Sequence, residues 1–475
     1  MKERTIKTNG SNGTRNGARP APSPVRVRAR SGRGSSGLVW PPMASPADAQ
    51  ALALMWQLNQ TERWSEGRLA AHQLKQIEGL IRHAVTQVRF HRERLSAFVD
   101  KLSPNRLTMD AFRTLPIMTR SDIQTAGNDL VAQALPASHG QMFPVRSSGS
   151  TGRPIEVRGT GVASIYLSAF TMRGHLWHKR DLAAKNVDVR TAFTGARARR
   201  RRRWSSLPGS GPSVRIDIAL SIDEIFKQLI KEDPAYLQTH PYTLLGLVEH
   251  SKEIGLKPAS LREARTFGEA LDPAVRETIS QTWNVPVIEN YSATEIGTIA
   301  HQCPETTNLH VQAEGVLVEV LNDIGEPCGP NETGRVVLTA LQNFATPLIR
   351  YEIGDYATVG EACVCGRGLP VLVRVLGRER NLLVYPDGTK RFPEIRVGGF
   401  DQIAPIRQFQ LVQKTLEELE LRLVMPRPLS EDEEQVMRRF MLDKFGYPFN
   451  VEIVYHDDLP RAANGKFEEF RSEVS

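Results

Sequence analysis

Between residues 51 and 99 the apolar positions Leu69, Leu74, Ile77, Leu80, Ile81, Val85 and Val88 recur mostly three or four apart. That spacing predicts one or two amphipathic helices. Pro116 ends one element, and Thr119 or Ser121 is placed to cap the next helix. Further on, β-branched runs at 142–147, 189–195, 214–220, 263–269 and 285–292 alternate with helical patterns at 161–178, 221–232, 241–255 and 272–284. Ser221 is the natural cap of the second of these helices. Strand–helix alternation of this kind predicts an α/β fold with strand ends open to a ligand.

Near residue 310 the texture changes. Short β runs at 315–323, 334–342, 348–359 and 371–377 are separated by Gly and Pro turns, which predicts a mixed or antiparallel β subdomain over about 310–378. The remainder holds further β runs and a helical stretch at 430–446, a small α+β module. The expected organisation is a tail over 1–45, a large domain over 50–378 and a small mobile domain over 379–475. The charged boundary Glu379–Asn381 would be exposed and would serve as the hinge.

A chain of 475 residues is too long for one comfortable core, which agrees with several domains. The net charge of +8 is local: nine basic residues and one acid, Glu3, fall in the first 40 positions, leaving 52 of each sign in the rest. That distribution argues against nucleic-acid binding by the folded part. The tail is rich in Gly, Ser, Asn and Pro, with Trp40 as its single aromatic, and reads as disordered. No apolar run suits a membrane span or a secretory signal, so a cytoplasmic protein is expected. Four cysteines in so long a chain are no disulfide scaffold.

The segment 145–154 reads Val-Arg-Ser-Ser-Gly-Ser-Thr-Gly-Arg-Pro. The hydroxyls of Ser147, Ser148, Ser150 and Thr151, the backbone freedom of Gly149 and Gly152, and the charge of Arg153 suit nucleotide phosphates. A flexible surface loop would look similar. Four more segments follow in order: Phe-Gly-Glu-Ala-Leu at 267–271, Tyr-Ser-Ala-Thr-Glu at 291–295, Arg-Tyr-Glu-Ile-Gly-Asp at 350–355 and Leu-Pro-Arg-Ala-Ala-Asn-Gly-Lys at 459–466. With 145–154 they resemble the ordered signatures of the adenylate-forming superfamily: acyl-CoA synthetases, luciferases and peptide-synthetase adenylation domains. The segments 115–123 and 363–378 narrow the resemblance to the phenylacetate–CoA ligase and capsule-biosynthesis ligase-like branch. It covers about residues 60–475.

The resemblance implies ATP-dependent adenylation of a carboxylic acid, with magnesium. Transfer to a thiol follows, CoA by default, with an acyl carrier protein or an amine as the alternative. It assigns the leaving phosphates to Ser147–Arg153, the α-phosphate to Thr294 and magnesium to Glu295. Adenine would lie between Tyr291, with Ser292 beside it, and the Gly268–Glu269–Ala270 backbone. Asp355 would take the ribose hydroxyls, with Arg378 on ribose or phosphate. Lys466 would reach the α-phosphate and the substrate carboxylate from the small domain. Simpler readings stand beside these: a helix-capping role for Glu295 before 296–301, a turn role for Asp355, a solvated exposed turn for Lys466 and a structural ion pair for Arg350. The acyl pocket is expected to draw on 236–242 and on residues near Glu269.

Cys303, His310, Cys363 and Cys365 form a Cys₃His set suited to structural zinc, with His301 as a spare ligand and Cys328 outside. Four unlinked side chains are the alternative. The five arginines at 199–203 read as a solvated loop or a seat for CoA phosphates or an acidic carrier. Arg380 and Asn381 stand where the resembled family carries acidic residues, which puts the hinge in question. A monomer and a homodimer both stay open, and neither composition nor motif identifies the acid.

Overall fold

The computed structural model describes residues 43–99, 107–147, 154–191, 202–204, 209–393, 395, 399–459, 461–462 and 465–474. The expectations for the basic tail, for Ser148–Arg153 and for Arg199–Arg201 lie outside the described residues. From Pro46 to Ser475 the chain forms one compact unit.

The N-terminal helical pattern becomes three helices, Pro46–Thr61, Glu66–Gln87 and Arg89–Val99, where one or two are expected from the spacing. Ser65 and Val88 both take extended backbone, which breaks the run twice. Of the two cap candidates it is Thr119 that caps Arg120–Ala126, in a reciprocal box with Asp122. Ser221 caps Ile222–Glu232 in the same way, with Glu224. These boxes satisfy backbone N–H groups that a helix start otherwise leaves unpaired.

A twelve-stranded sheet organises the large part. Five parallel strands run in the spatial order Val287–Ala293, Glu263–Phe267, Tyr236–Thr239, Asn186–Arg190, Pro212–Asp217. Helices Ile222–Glu232, Pro241–Ile254 and Pro273–Trp283 cover one face, packing Phe226, Leu229, Leu244, Leu247 and Ile279 on Val187, Val189, Ile216 and Ala264. The strands run into the site at their carboxyl ends, as parallel α/β sheets do.

The β-rich part is not a separate sheet. Gly297–Gln302 folds back antiparallel on Val287–Ala293, and the antiparallel strands Leu309–Val311, Val371–Arg378, Tyr351–Val359, Thr333–Ala340 and Val316–Leu321 continue the same ladder. The tight turn at 294–296 carries the chain from parallel to antiparallel pairing without breaking the sheet.

Residues after 380 build the smaller α+β part. The strand order is Asn450–Tyr455, Glu418–Val424, Gln408–Gln413, Phe470–Ser472, with helix Glu431–Phe445 over one face. Its core is drawn from 383–470 alone and includes Leu411, Leu421, Met437, Met441 and Phe470. This is a large mixed and parallel α/β domain followed by a smaller α+β domain. No described helix is long and apolar enough to cross a membrane.

Candidate functional site

The carboxyl ends of the parallel strands, the strand Tyr351–Val359 and the segment 465–470 enclose a cavity of about 850 Å³. Its lining brings together Ser147, Gly268, Tyr291, Glu295, Asp355 and Lys466, residues spread over more than 300 positions of sequence. Glu269, Ala270, Ser292, Thr294 and Arg378 line it too.

One wall is a pair of strand residues. The Tyr291 hydroxyl donates to Asp355 Oδ2 at 2.8 Å, and Arg378 Nε lies 3.5 Å from Asp355 Oδ1. Asp355 and Arg378 are register partners across adjacent strands, which sets this approach. Burial pushes the Asp355 carboxyl up from its ordinary range while Arg378 pulls it back. Burial and then Asp355 hold the Tyr291 phenol protonated. Asp355 is thus a half-buried strand residue with fixed partners, not a turn aspartate.

Thr294 is exposed and Glu295 buried in the turn that follows. Glu295 Oε1 accepts from the Tyr351 hydroxyl at 3.4 Å. The helix-capping reading of Glu295 falls, because Gly297–Gln302 is a strand. Ser147 sits at the neck of the hairpin Phe143–Arg146/Glu156–Gly159. Its Oγ accepts from the Ile155 N–H at 2.9 Å and from Arg120 Nη2 at 3.3 Å. Ser147 therefore closes the neck, while 148–153 lie outside the described residues.

Lys466 is not a solvated turn lysine. It is half-buried and its side chain lies along Gly268, where an added Cβ would sit 3.6 Å from Lys466 Cε and 2.9 Å from His240 Cε1. Gly268 also has φ +79°, so both its conformation and its crowding require glycine. Gly465 has φ +81° and packs its Cα against Ile218, which turns Lys466 inward. The next residue completes the contact: Phe467 N–H donates to Glu269 Oε1 at 2.9 Å. Burial pushes the Glu269 carboxyl up to about 7, against the pull of the Phe467 N–H and Lys466. Burial lowers the Lys466 ammonium, with Glu269 opposing. His240 Nδ1 lies 3.8 Å from Glu269 Oε1, but burial and then Lys466 push His240 down to about 3, so this is no ion pair at neutral pH. Arg461 Nη1 adds a bond to Thr243 Oγ1 at 2.9 Å.

The expected hinge is held rather than free. Glu379 is exposed, but Arg380 pairs with Glu468, and Asn381 accepts from Arg378 N–H at 3.0 Å and donates to Phe470 O at 2.7 Å. Arg350 is structural: it is buried and bound to Glu319 at 3.1 Å and to the carbonyls of Arg113 and Leu115. Of 236–242, Gln238, His240 and Tyr242 line the cavity, whereas the Tyr236 hydroxyl accepts from Asp181 N–H.

A second cluster lies where the turn after Gly297–Gln302, the strand Leu309–Val311 and the loop before Val371–Arg378 meet. The ligand atoms of Cys303, His310, Cys363 and Cys365 fall within 4.8 Å of one another. Cys303 and Cys363 Sγ are 3.8 Å apart, and Cys365 Sγ is 3.2 Å from His310 Nε2. Tetrahedral bonds of about 2.3 Å to sulfur separate two sulfurs by about 3.8 Å, so the donor set suits one zinc ion with no coordination position left over. The N-terminal helices brace this loop: Gly368 N–H donates to Glu62 O at 2.9 Å, and Arg367 Nε lies 3.5 Å from Glu62 Oε1. His301 is not a ligand. Its Nδ1 faces Asn290 Oδ1 at 2.9 Å and its Nε2 faces Phe170 O at 2.8 Å. Cys328 stays outside, as expected.

Sequence reasoning missed Arg120, Arg190, Arg265 and Arg461 near the cavity. Arg461 stood inside the 459–466 segment and could have been flagged. The others are lone arginines, Arg120 at a helix start, Arg190 at a strand end and Arg265 within a strand, indistinguishable in sequence from surface charges.

Residues 398–472 match the CapK C-terminal domain family. The phenylacetate-coenzyme A ligase of Thermus thermophilus is 27% identical over 293 residues, covering 55% of this chain and 63% of that protein. That of Escherichia coli is 24% identical over 373 residues, covering 75% of this chain and 82% of that protein. Among solved structures, 2-hydroxyisobutyryl-CoA ligase in its postadenylation state is 16% identical, with a TM-score of 0.69 over 87% of this chain and 92% of that one. In its thioesterification state the TM-score is 0.56, over 88% and 92%.

Proposed function

We propose that the chain is an adenylate-forming enzyme, which activates a carboxylic acid as its acyl-adenylate and then passes the acyl group to a thiol, CoA first among acceptors. One observation carries the reading: Lys466, from the smaller domain, sits over Gly268 in the same cavity as Tyr291, Asp355 and Glu295.

The chemistry follows from what each residue offers. A carboxylate oxygen attacks the α-phosphorus of ATP, the bond to the bridging oxygen breaks, and pyrophosphate leaves. Charge grows on phosphoryl oxygens, and fixed donors and cations lower that barrier. Lys466 supplies a cation beside the reacting carboxylate. Its lowered pKa still leaves it a donor, and Glu269 keeps it inside the cavity. Thr294 offers a hydroxyl to the α-phosphate. Tyr291 and the 268–270 backbone flank the adenine, and Asp355, held by Tyr291 and Arg378, accepts from the ribose hydroxyls. Ser147 and the segment 148–153 seat the leaving phosphates. Glu295 would hold magnesium, which neutralises phosphate charge when bound. The Cys₃His cluster would hold zinc that ties the 363–368 loop to the sheet and takes no part in the reaction.

The contacts of Lys466 and Phe467 fit the first half-reaction. The higher TM-score to the postadenylation state of 2-hydroxyisobutyryl-CoA ligase than to its thioesterification state agrees with that arrangement. A thiol could not enter while Lys466 stays over Gly268, so transfer requires the smaller domain to move. Its contacts with the large part include the polar bonds Phe467–Glu269 and Arg461–Thr243 and the packing of Gly465 on Ile218 and of Phe467 on Tyr242, a local set suited to release.

The test separates the two steps. Lys466→Ala should lower acid-dependent pyrophosphate exchange by about 10² or more, while thioester formation from a supplied acyl-adenylate and CoA falls much less. Equal losses in both assays would contradict the two-arrangement reading. Exchange by the wild type without transfer to CoA would move the acceptor to a carrier-protein thiol or an amine.

A further inference from the structure

We infer that the acid this cavity selects is a dicarboxylic acid, whose second carboxylate is bound by Arg190 with Arg265 behind it; the inference rests on the adenylation reading and gives it a substrate class.

The deep side of the cavity is charged rather than apolar. Arg190 ends its parallel strand with its guanidinium 4.5 Å from the centroid of the Phe267 ring, and that ring packs on His240 at 4.8 Å. His240 in turn lies against Gly268, beside Lys466. Arg190 is therefore set back from the reacting end by two stacked rings, roughly the reach of a short second arm on the acid. Arg265 and Arg180 line the same cavity and are both buried.

These three guanidinium groups share two carboxylates among the described residues. Glu263 Oε1 takes Arg180 Nε at 2.6 Å, which leaves Arg265 Nε at 3.8 Å from it. Asp188 Oδ1 is 3.8 Å from Arg190 Nη2, beyond hydrogen-bond range, and its Oδ2 accepts from Ser213 Oγ at 3.3 Å. Arg190 Nε, Arg265 Nε and Arg180 Nη2 are buried without a hydrogen-bond partner among the described residues. Histidines nearby add no negative charge: His175 accepts from Arg180 at 3.2 Å, and His301 is engaged on both ring nitrogens. The stretch from 189 to 216 contains no Asp or Glu but adds Arg197 and Arg199–Arg203, so it brings no counter-charge either.

Arg180 and Arg265 are buried, with Arg265 also donating to Asn186, and Arg190 is half-buried at the cavity face; such a positive excess with open N–H groups is costly unless an anion completes it. On the adenylation reading the leaving phosphates go to Ser147 and the segment that follows it, not to Arg190. During adenylation, before any acceptor enters, the acid is the remaining ligand, and only its far end can reach Arg190 once its reacting carboxylate faces Lys466. A planar carboxylate matches the guanidinium fork, and a monoacid of equal length would leave the arginines unpaired.

Two measurements test this. In pyrophosphate exchange, succinate, glutarate and adipate are compared with butyrate, pentanoate and hexanoate. The best diacid should exceed its matched monoacid in kcat/KM by at least about 10². Arg190→Gln should bring that ratio close to one, mainly through KM for the diacid. Separately, calorimetric binding of the same acids with AMP present should favour the diacid in the wild type and not in Arg190→Gln. Exchange that favours the monoacid, or that treats both alike, would overturn the inference and leave adenylation intact. Selective diacid binding without exchange from any acid would keep the anion seat and overturn adenylation. If Arg190→Gln raised KM for pyrophosphate and left the acid preference unchanged, Arg190 would be a phosphate ligand and the inference would fail.

Discussion

Replacing Glu269 by Gln isolates the electrostatic cost of the contact that holds Lys466 in place. The Glu269 side chain is buried, accepts the backbone N–H of Phe467 at Oε1, feels that of Tyr242 as well, and leaves Oε2 without a hydrogen-bond partner among the described residues. Burial outweighs these N–H groups and Lys466, so the folded carboxyl titrates near 7 instead of its ordinary 4.5. A carboxyl raised in this way favours the folded state while protonated. Its contribution is fully present below pH 4.5 and is lost as pH rises through about 7. The full loss is worth about 3 kcal/mol, of which about 1 kcal/mol has already gone at pH 5. Glutamine keeps the acceptor for Phe467 and carries no charge. Glu269→Gln should therefore be stabilised by about 3 kcal/mol at pH 8 and by about 1 kcal/mol at pH 5. For roughly 430 folded residues this corresponds to a Tm gain of about 3 °C at pH 8 and about 1 °C at pH 5. Differential scanning calorimetry at the two pH values reads both numbers. The same variant should lose exchange activity at pH 8, because Lys466 no longer faces a carboxylate. A Tm difference that is flat with pH, or a loss of stability at pH 8, would refute the assigned environment of Glu269.

The other predictions concern the nucleotide wall and the cysteine cluster. Asp355→Asn keeps the shape but removes the anion that faces Arg378 and the Tyr291 hydroxyl, and ATP affinity measured by calorimetry should fall by about tenfold or more; unchanged affinity would remove Asp355 from the ribose site. Protein purified without added metal should carry about one zinc per chain by elemental analysis, and a metal-free folded protein would rule the site out. Cys363→Ser should lower the unfolding temperature before it alters ATP affinity, since the cluster clamps 363–368 to the sheet and does not touch the cavity.

Much of this arrangement is readable from sequence where a local rule decides it. Ser221 with Glu224 and Thr119 with Asp122 are capping pairs at the expected spacing, and both cap their helices. The alternation of β-branched runs and helical patterns anticipates the parallel strands Pro212–Asp217, Glu263–Phe267 and Val287–Ala293, but the run at 189–195 meets Asn186–Arg190 only at its end, Tyr236–Thr239 is not among the runs, and 142–147 pairs antiparallel in a hairpin. What sequence reading misses is long-range pairing. The Tyr291–Asp355 bond joins residues 64 positions apart and depends on where the strands Val287–Ala293 and Tyr351–Val359 fall in the sheet order. The β-rich part looks like a subdomain because its turns change character, yet the ladder through Gly297–Gln302 runs on unbroken. His301 stands two residues before Cys303, but its strand turns it toward Asn290 and Phe170. Arg190 and Arg265 read as ordinary strand-end and strand charges, and only the packing shows three guanidinium groups sharing two acids.

The central claim is that a carboxylate oxygen of the substrate attacks the α-phosphorus of ATP within this cavity. Oxygen transfer tests it without reference to any variant. The acid giving the fastest exchange is labelled with ¹⁸O in its carboxylate and converted to product with ATP and the acceptor, and the released nucleotide and pyrophosphate are analysed by mass spectrometry. The account predicts AMP bearing one ¹⁸O per turnover and pyrophosphate bearing none. Label in inorganic phosphate together with ADP, or AMP free of label, would contradict it.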